Sequence, residues 1–400
     1  MKLEQFEHFG NGLSQSIYIA ALTNDTKYIL QYYKDGFPLD IEDDRSQTLL
    51  HLAARNKAHK SMELLLMLGL DPSVGDKYLE TPLHIATFMG DEEMVELLLS
   101  HNASVNHQNK NKQAPLHNAS LKGNIHIIKM LLDDGADIYA LDEHLSSVLQ
   151  YGVRSKKLKI VRFLVEQGAV INSLDIQNLS TMHYVAMYST IEIAKYLLSL
   201  DINPYMKDHY KQTPLHKAVE HPNFDMIDVF SYCGLTSYDQ SRFNKSPYDL
   251  AVMHGKHETI ERFNQLKNNR EYQKELKSNE LTFALIMNQF DLAEALIKRS
   301  DVNKKDYYGN SPLFYAIINE EPFLVDLLIK HGAKIENVDN CKLDALYYAV
   351  ITKQTMMTEL IAKKGYNPKK KYFGLTLLEF SEIYKMHDIK NVLLKASSTE

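Results

Sequence analysis

The chain has only two cysteines in 400 residues, no tryptophan, and a formal charge of only −6 with a pI near 6.3. Cys233 and Cys341 are far apart and read as reduced thiols, which excludes a disulfide framework. The slight acidic excess excludes a chain built to neutralise phosphates, so no nucleic-acid partner is expected. No apolar run approaches the roughly 20 residues of a spanning helix, so no membrane insertion is expected either. The first seven residues carry Glu4 and Glu7 where a secretory signal needs an apolar core. A cytoplasmic protein is therefore expected, although delivery into a host cell by a specialised secretion system would leave no such mark. Catalytic motifs are missing too. There is no Gly-x-x-x-x-Gly-Lys-Ser/Thr phosphate loop, no Gly-x-Gly-x-x-Gly after a strand and no Gly-x-Ser-x-Gly elbow. The lack of tryptophan beside 24 tyrosines looks like an A/T-rich coding background and carries little mechanism.

What is present is a period. His51, His84, His117, His183 and His216 close the tetrads TLLH, TPLH, APLH, STMH and TPLH, at a spacing of 33 residues or twice that. Continued in register, the same slot falls on Tyr18, Gln150, Asp249, Thr282, Phe314, Tyr347 and Glu379. Small residues follow it at Ala53, Ala86, Ala119, Ala218, Ala251, Ala316 and Ala349. A glycine or asparagine recurs 18 residues after it, as at Gly36, Gly69, Asn102, Gly135 and Gly332. A fixed period of this length marks one supersecondary unit stacked many times. About twelve units fill the chain.

Each unit has a physical reading. A hydroxyl residue followed by Pro starts a helix, because the hydroxyl caps free amides and Pro at the first turn loses no N–H bond. The small residue lets neighbouring helices approach closely. A second helix carries paired aliphatics, as in Val95-Glu96-Leu97-Leu98-Leu99, and Gly or Asn closes it in the left-handed conformation. The remaining residues form a projecting finger. Neither helix can bury its apolar face alone, so the units must stack.

This pattern resembles the ankyrin repeat family over essentially the whole chain, most specifically at Thr81-Pro82-Leu83-His84 and Thr213-Pro214-Leu215-His216. The resemblance implies an all-α ankyrin-repeat solenoid, curved, with fingers and first helices on its concave side. It also implies protein binding as the usual role, and it extends to bacterial effectors that engage host proteins. A monomer that needs no cofactor is expected.

Two stretches break the regularity. Over 142–170 the tetrad decays to Ser147-Val148-Leu149-Gln150, and a local basic cluster follows from Arg154 to Arg162. Over 264–280 no finger motif appears, which predicts a kink between repeats one to eight (1–267) and repeats nine to twelve (268–400) of one continuous solenoid. The histidines do not read as metal ligands. Stacked helices sit about 8–10 Å apart, whereas ligands of one zinc ion lie about 2 Å from it. Each imidazole should instead bond to hydroxyls and turn backbone.

The candidate site is a partner-binding edge. Finger tips hold Tyr78, Tyr210, Phe243, Tyr307, Tyr308, Tyr372 and Phe373, flanked by Lys77, His209 and Arg242. First-helix ends on the same side add Phe88, Met89, Met187, Tyr188, Met253 and His254. Aromatic, methionine and arginine side chains are those that interface cores favour. The leading expectation is a non-enzymatic interaction scaffold or effector. Two alternatives stay open: a dedicated inhibitor or immunity-type protein that blocks one enzyme, and an enzyme with a site hidden in 142–170 or 264–303. The register itself is testable through Leu98, which it places between stacked helices. Leu98→Ala should cost roughly 2–5 kcal/mol in denaturant unfolding, and a near-neutral result would mean the register is wrong.

Overall fold

The computed structural model describes residues 12–200, 202–221, 224–233, 235, 237, 239–267, 280–286, 289–305, 309–339 and 342–397. The chain forms two compact units, Met1–Glu143 with Ser147–Gln167 and His144–Ser146 with Gly168–Glu400. In the first unit the helix pairs are α1 Gly12–Thr23 with α2 Thr26–Lys34, α3 Leu49–Arg55 with α4 His59–Met67, α5 Pro82–Met89 with α6 Glu92–Ser100, α7 Pro115–Lys122 with α8 Ile125–Asp133, and α9 Val148–Arg154 with α10 Leu158–Glu166. In the second they are α11 Thr181–Tyr188 with α12 Ile191–Leu198, α13 Pro214–Glu220 with α14 Phe224–Tyr232, α15 Pro247–Met253 with α16 His257–Lys267, α17 Glu280–Ile286 with α18 Phe290–Ile297, α19 Pro312–Ile318 with α20 Pro322–Lys330, α21 Ala345–Ile351 with α22 Thr355–Ala362, and α23 Leu377–Ile383 with α24 His387–Ser397. Twelve pairs match the twelve units expected. The expected boundary at 267/268 lies inside the second unit, and most of the segment predicted to kink, 268–279, lies outside the described residues.

First helices are packed on both sides by their neighbours, so almost every side chain of α5, from Pro82 to Thr87, is buried. The small-residue position faces the second helix, and Ala53, Ala86 and Ala119 are fully buried there. Second helices bury one stripe only: Met94, Val95 and Leu98 in α6, Ile127, Ile128 and Leu131 in α8. Gly69 and Asn102 close α4 and α6 with φ of 88° and 62°, a left-handed turn that glycine and asparagine tolerate.

The histidine slot is the joint between repeats. In α3 the Thr48 N–H donates to His51 Nδ1 at 3.1 Å, and the opposite ring nitrogen, Nε2, donates to the Glu80 carbonyl in the next finger at 2.7 Å. The bond recurs from His84 to Gln113 at 2.9 Å, His183 to Gln212 at 2.9 Å and His216 to Lys245 at 3.2 Å. A backbone N–H can only donate and a carbonyl only accept, so the ring is fixed as the neutral Nε2–H tautomer. Gln150 takes the same cap role, accepting from Ser147 N–H at 2.9 Å, so the decayed tetrad of the fifth repeat is a substitution within the same joint. Asp249 also accepts, from Ser246 N–H at 2.9 Å. Hydrogen bonds from Ser246 hold its carboxyl below the ordinary value, so it stays ionised and has no proton to pass onward.

After that point aromatic packing replaces the imidazole bridge. Phe314 meets Tyr348 edge-on with ring centres 4.6 Å apart, and Tyr347 meets Phe380 at 5.7 Å. Tyr347, Tyr348 and Phe380 are among the largest fully buried side chains. A short hairpin of β1 Lys371–Tyr372 and β2 Leu375–Thr376, paired Tyr372 to Leu375, replaces the last finger.

The second unit also packs on itself across its length. Residues 169–175 and 202–208 are buried throughout, whereas the equivalent stretch of the third repeat, 70–76, is mostly half-exposed or exposed. The bases of the sixth and seventh fingers are covered by the tenth to twelfth repeats. Asn203 Nδ2 donates to Asn310 Oδ1 at 2.8 Å, and the rings of Tyr205 and Tyr315 meet edge-on at 5.3 Å. Lys207 Nζ donates to Asn319 Oδ1 at 2.8 Å, and Asn319 Nδ2 donates to the Leu285 carbonyl at 2.7 Å. Tyr384 is hydrogen-bonded to Ser173. Burial pushes the Lys207 ammonium down to about 8, with the Asp239 carboxylate partly offsetting the cost.

Two outcomes follow from these contacts. Burial lowers His84 and His183 to about 4 and His216 to about 3, and it lowers His51 as well. The unfolded chain then binds more protons than the folded one below about pH 6.5, so stability is lost as pH falls through that value. Each such histidine contributes up to about 1.4 kcal/mol per pH unit in that window. Melting temperature should drop between about pH 7 and 5, and drop less in His84→Gln, which keeps the cap acceptor without the titrating ring. Equal slopes in both proteins would contradict this. Separately, Asn319→Ala should cost about 2–3 kcal/mol by removing one partner of the buried Lys207 ammonium and one of the Leu285 carbonyl. Asn56→Ala at the equivalent position, where the side chain bonds only to Leu52 O of its own helix, should cost less than about 1 kcal/mol. Equal losses in urea unfolding would show that the self-packing carries no energy.

Candidate functional site

Finger tips among the described residues are braced from inside and from outside. Asp76 Oδ1 accepts from Tyr78 N–H at 2.8 Å and from Glu80 N–H at 3.0 Å, closing the turn from inside. From outside, each tip donates one backbone N–H to the preceding finger: Lys77 to Arg45 O at 3.0 Å and Lys110 to Tyr78 O at 2.9 Å in the first unit. In the second unit His209 bonds to Gln177 O at 2.9 Å and Arg242 to Tyr210 O at 2.7 Å. Leu79 and Lys112 take left-handed φ of 58° and 56° so that the chain can re-enter the next cap.

On this frame the first unit exposes Lys77 and Tyr78 at one tip and Phe88 and Met89 at the end of α5. Their rings are not bare. Lys77 and Lys110 place Nζ 5.0 and 5.9 Å from the Tyr78 ring centre, and Lys122 lies 3.9 Å from that of Phe88. Such ammonium–ring contacts attract through the ring quadrupole. The identities of Lys110 and Lys122 as partners of these rings were not legible beforehand, because each comes from the following repeat.

In the second unit Tyr210 and Phe243 are both exposed, with ring centres 5.7 Å apart, and His209 and Arg242 are exposed beside them. Met253 and His254 are exposed at the end of α15. Tyr188 is exposed and Met187 half-buried at the end of α11, with Tyr188 6.0 Å from His221. Tyr372 departs from the edge. It is buried against Tyr347 at 5.0 Å and donates its hydroxyl to Asp344 Oδ2 at 2.6 Å, because the β1–β2 hairpin turns its ring inward. Phe373 is half-buried, 6.2 Å from Tyr347. Tyr307 and Tyr308 lie outside the described residues.

The fifth repeat, irregular in sequence, holds ordinary structure. Tyr151 donates its hydroxyl to Asp142 Oδ2 at 2.8 Å and accepts from Gln113 Nε2 at 2.6 Å. Within its basic cluster, Lys157 Nζ donates to the carbonyls of Lys122 and Gly123 at 2.8 and 3.1 Å, tying α10 to the end of α7. Among the described residues no group of three or more His, Cys, Asp or Glu side chains is arranged to hold a metal ion, and no helix is long and apolar enough to cross a membrane.

The comparison with known families agrees with the geometry. A family model described as ankyrin repeats (3 copies) matches residues 17–109, 102–175, 149–241, 248–339 and 281–372. No curated protein matches the chain. Family matches over most of the sequence, helix pairs repeated in its register and fingers tied to caps by a recurring histidine together place this chain in the ankyrin repeat family, whose repeats are general protein–protein interaction modules.

Proposed function

We propose that the chain is a non-enzymatic scaffold or effector that binds a partner protein through its fingers and first-helix ends. The observation that carries this reading is the set of large exposed side chains on braced fingers: Tyr78 with Phe88 and Met89 in one unit, and Tyr210 with Phe243 and Met253 in the other. A ring held on a rigid turn loses little entropy when a partner covers it, which is how a few residues come to dominate binding energy. The covered finger bases of the sixth and seventh repeats narrow the surface. Tyr205, Tyr315 and Tyr384 are buried within the second unit, so its own chain already fills the place a partner would take there. We assign the protein to the cytoplasm, as a monomer, either of its own cell or of a host into which it is delivered. Protein rather than nucleic acid is the partner class, in keeping with the net charge of −6.

Affinity capture with mass spectrometry tests this with wild type and a variant carrying Ala at Tyr78, Phe88, Tyr210 and Phe243. All four are exposed, so the melting temperature should be unchanged. A partner retained by wild type should be weakened by at least about 2 kcal/mol in the variant. Retention of the same partner at the same affinity by the variant would show that these rings are not the binding edge.

A further inference from the structure

Charge on the second to fourth repeats is divided between their two sides. The finger tips carry Arg45, Lys77, Lys110 and Lys112, and the first-helix ends carry Arg55, Lys57 and Lys122. Asp44 is the one carboxylate at those positions, 44–46, 77–79 and 110–112 on the tips and 54–57, 87–90 and 120–123 on the helix ends. The second helices of the same repeats, α4, α6 and α8, are acidic instead, with Glu63, Glu92, Glu93, Glu96 and Asp133 against Lys60 and Lys129. All seven cations on the finger side are exposed. Among the described residues none of them forms an ion pair, although Arg55 lies close enough to the Glu80 carboxylate to attract it; the contacts of Lys77, Lys110 and Lys122 are with the Tyr78 and Phe88 rings. In a chain of net charge −6 such a concentration of positive charge, interleaved with exposed rings, is a surface prepared for carboxylates.

The spacing narrows the ligand further. Lys77 and Lys110 hold equivalent positions in adjacent repeats, about 8–10 Å apart, the distance between packed helices. A polyproline II segment rises about 3.1 Å per residue with three residues per turn, so every third side chain returns to one face at about 9.3 Å. Exposed aromatic rings are what such segments dock against. A nucleic-acid strand fits less well. In a duplex each strand carries a phosphate about every 3.4 Å of helix axis, so most would meet no cation.

We infer that the finger face of the second to fourth repeats takes an extended, proline-containing acidic protein segment with a carboxylate at every third residue. Two of its carboxylates, three residues apart, pair with Lys77 and Lys110, another acidic side chain meets Lys122 at the helix end of the fourth repeat, and its prolines lie on Tyr78 and Phe88. This rests on the protein-binding reading above and names the chemistry of the partner for one unit.

The probe is a labelled peptide of about twelve residues repeating Glu-Pro-Pro, measured by fluorescence anisotropy against the full chain. A Gln-Pro-Pro repeat and a single-stranded oligothymidylate serve as comparisons. The Glu peptide should bind at least about tenfold more tightly than the Gln peptide, and weaken as NaCl rises from about 50 to about 300 mM. Lys77→Glu with Lys110→Glu and Lys122→Glu should lower its affinity at least about tenfold. Lys60→Glu with Lys129→Glu and Lys159→Glu makes the same change in net charge away from the face and should lower it less than about threefold. The inference is overturned if the two peptides bind alike, if the two triple variants lose affinity alike, or if the oligonucleotide binds and the Glu peptide does not. If the Glu peptide fails while the captured protein partner is still lost on the aromatic substitutions, the acidic-segment inference falls and the broader protein-binding reading stands.

Discussion

The joint on which the array depends is a neutral imidazole that serves two repeats at once. One nitrogen accepts the N-cap amide of its own first helix, and the other donates to a carbonyl at the base of the next finger. Both bonds are local to a buried site, so the ring both terminates a helix correctly and sets where the following finger stands. A stack whose stability is mostly nearest-neighbour needs a term of this kind between every pair of units. Burial keeps the ring neutral, and neutrality is what lets it accept and donate together.

The repeats differ in how they solve that problem, and the differences were only partly legible. The period, the twelve units and the helix boundaries follow from spacing and cap chemistry, because Thr-Pro and Gly act locally. Gln150 reads in the sequence as decay of the motif, and Asp249 only as an acid in the histidine slot. In the structure both accept the cap amide, since any side chain with an oxygen at the third helical position can do so. What Asp249 lacks is the onward donor, and beyond it the described repeats rely on Phe314, Tyr347, Tyr348 and Phe380 packed edge to edge. Tyr372 reads as a finger-tip residue because it lies as far before its slot, Glu379, as Lys77 lies before His84. A two-residue strand pair turned it inward.

The self-packing of the second unit had no signature in the sequence. Asn203 and Asn310 are 107 positions apart, and neither belongs to a repeating motif that pairs them. A lysine at a finger base, such as Lys207, ordinarily predicts exposure, and its burial goes with tertiary contact to Asn319 and the attraction of the Asp239 carboxylate. The candidate edge was legible as a set of positions but not as a set of environments. Tyr78 and Phe88 are exposed and overlaid by lysines from the next repeat, whereas Tyr384, at a first-helix end like Phe88, is sealed.

The central claim is therefore that the bases of the sixth and seventh fingers are filled by the chain itself, whereas the finger tips at Tyr78, Tyr210 and Phe243 stay open. Hydroxyl-radical footprinting of the free protein tests it directly, because side-chain oxidation reads solvent access residue by residue. Tyr78, Phe88, Tyr210 and Phe243 should be modified rapidly, and Tyr205, Tyr315 and Tyr384 should be protected. Modification of Tyr205 and Tyr384 at the rate of Tyr78 would contradict it, and would mean that the bases of the sixth and seventh fingers stand free.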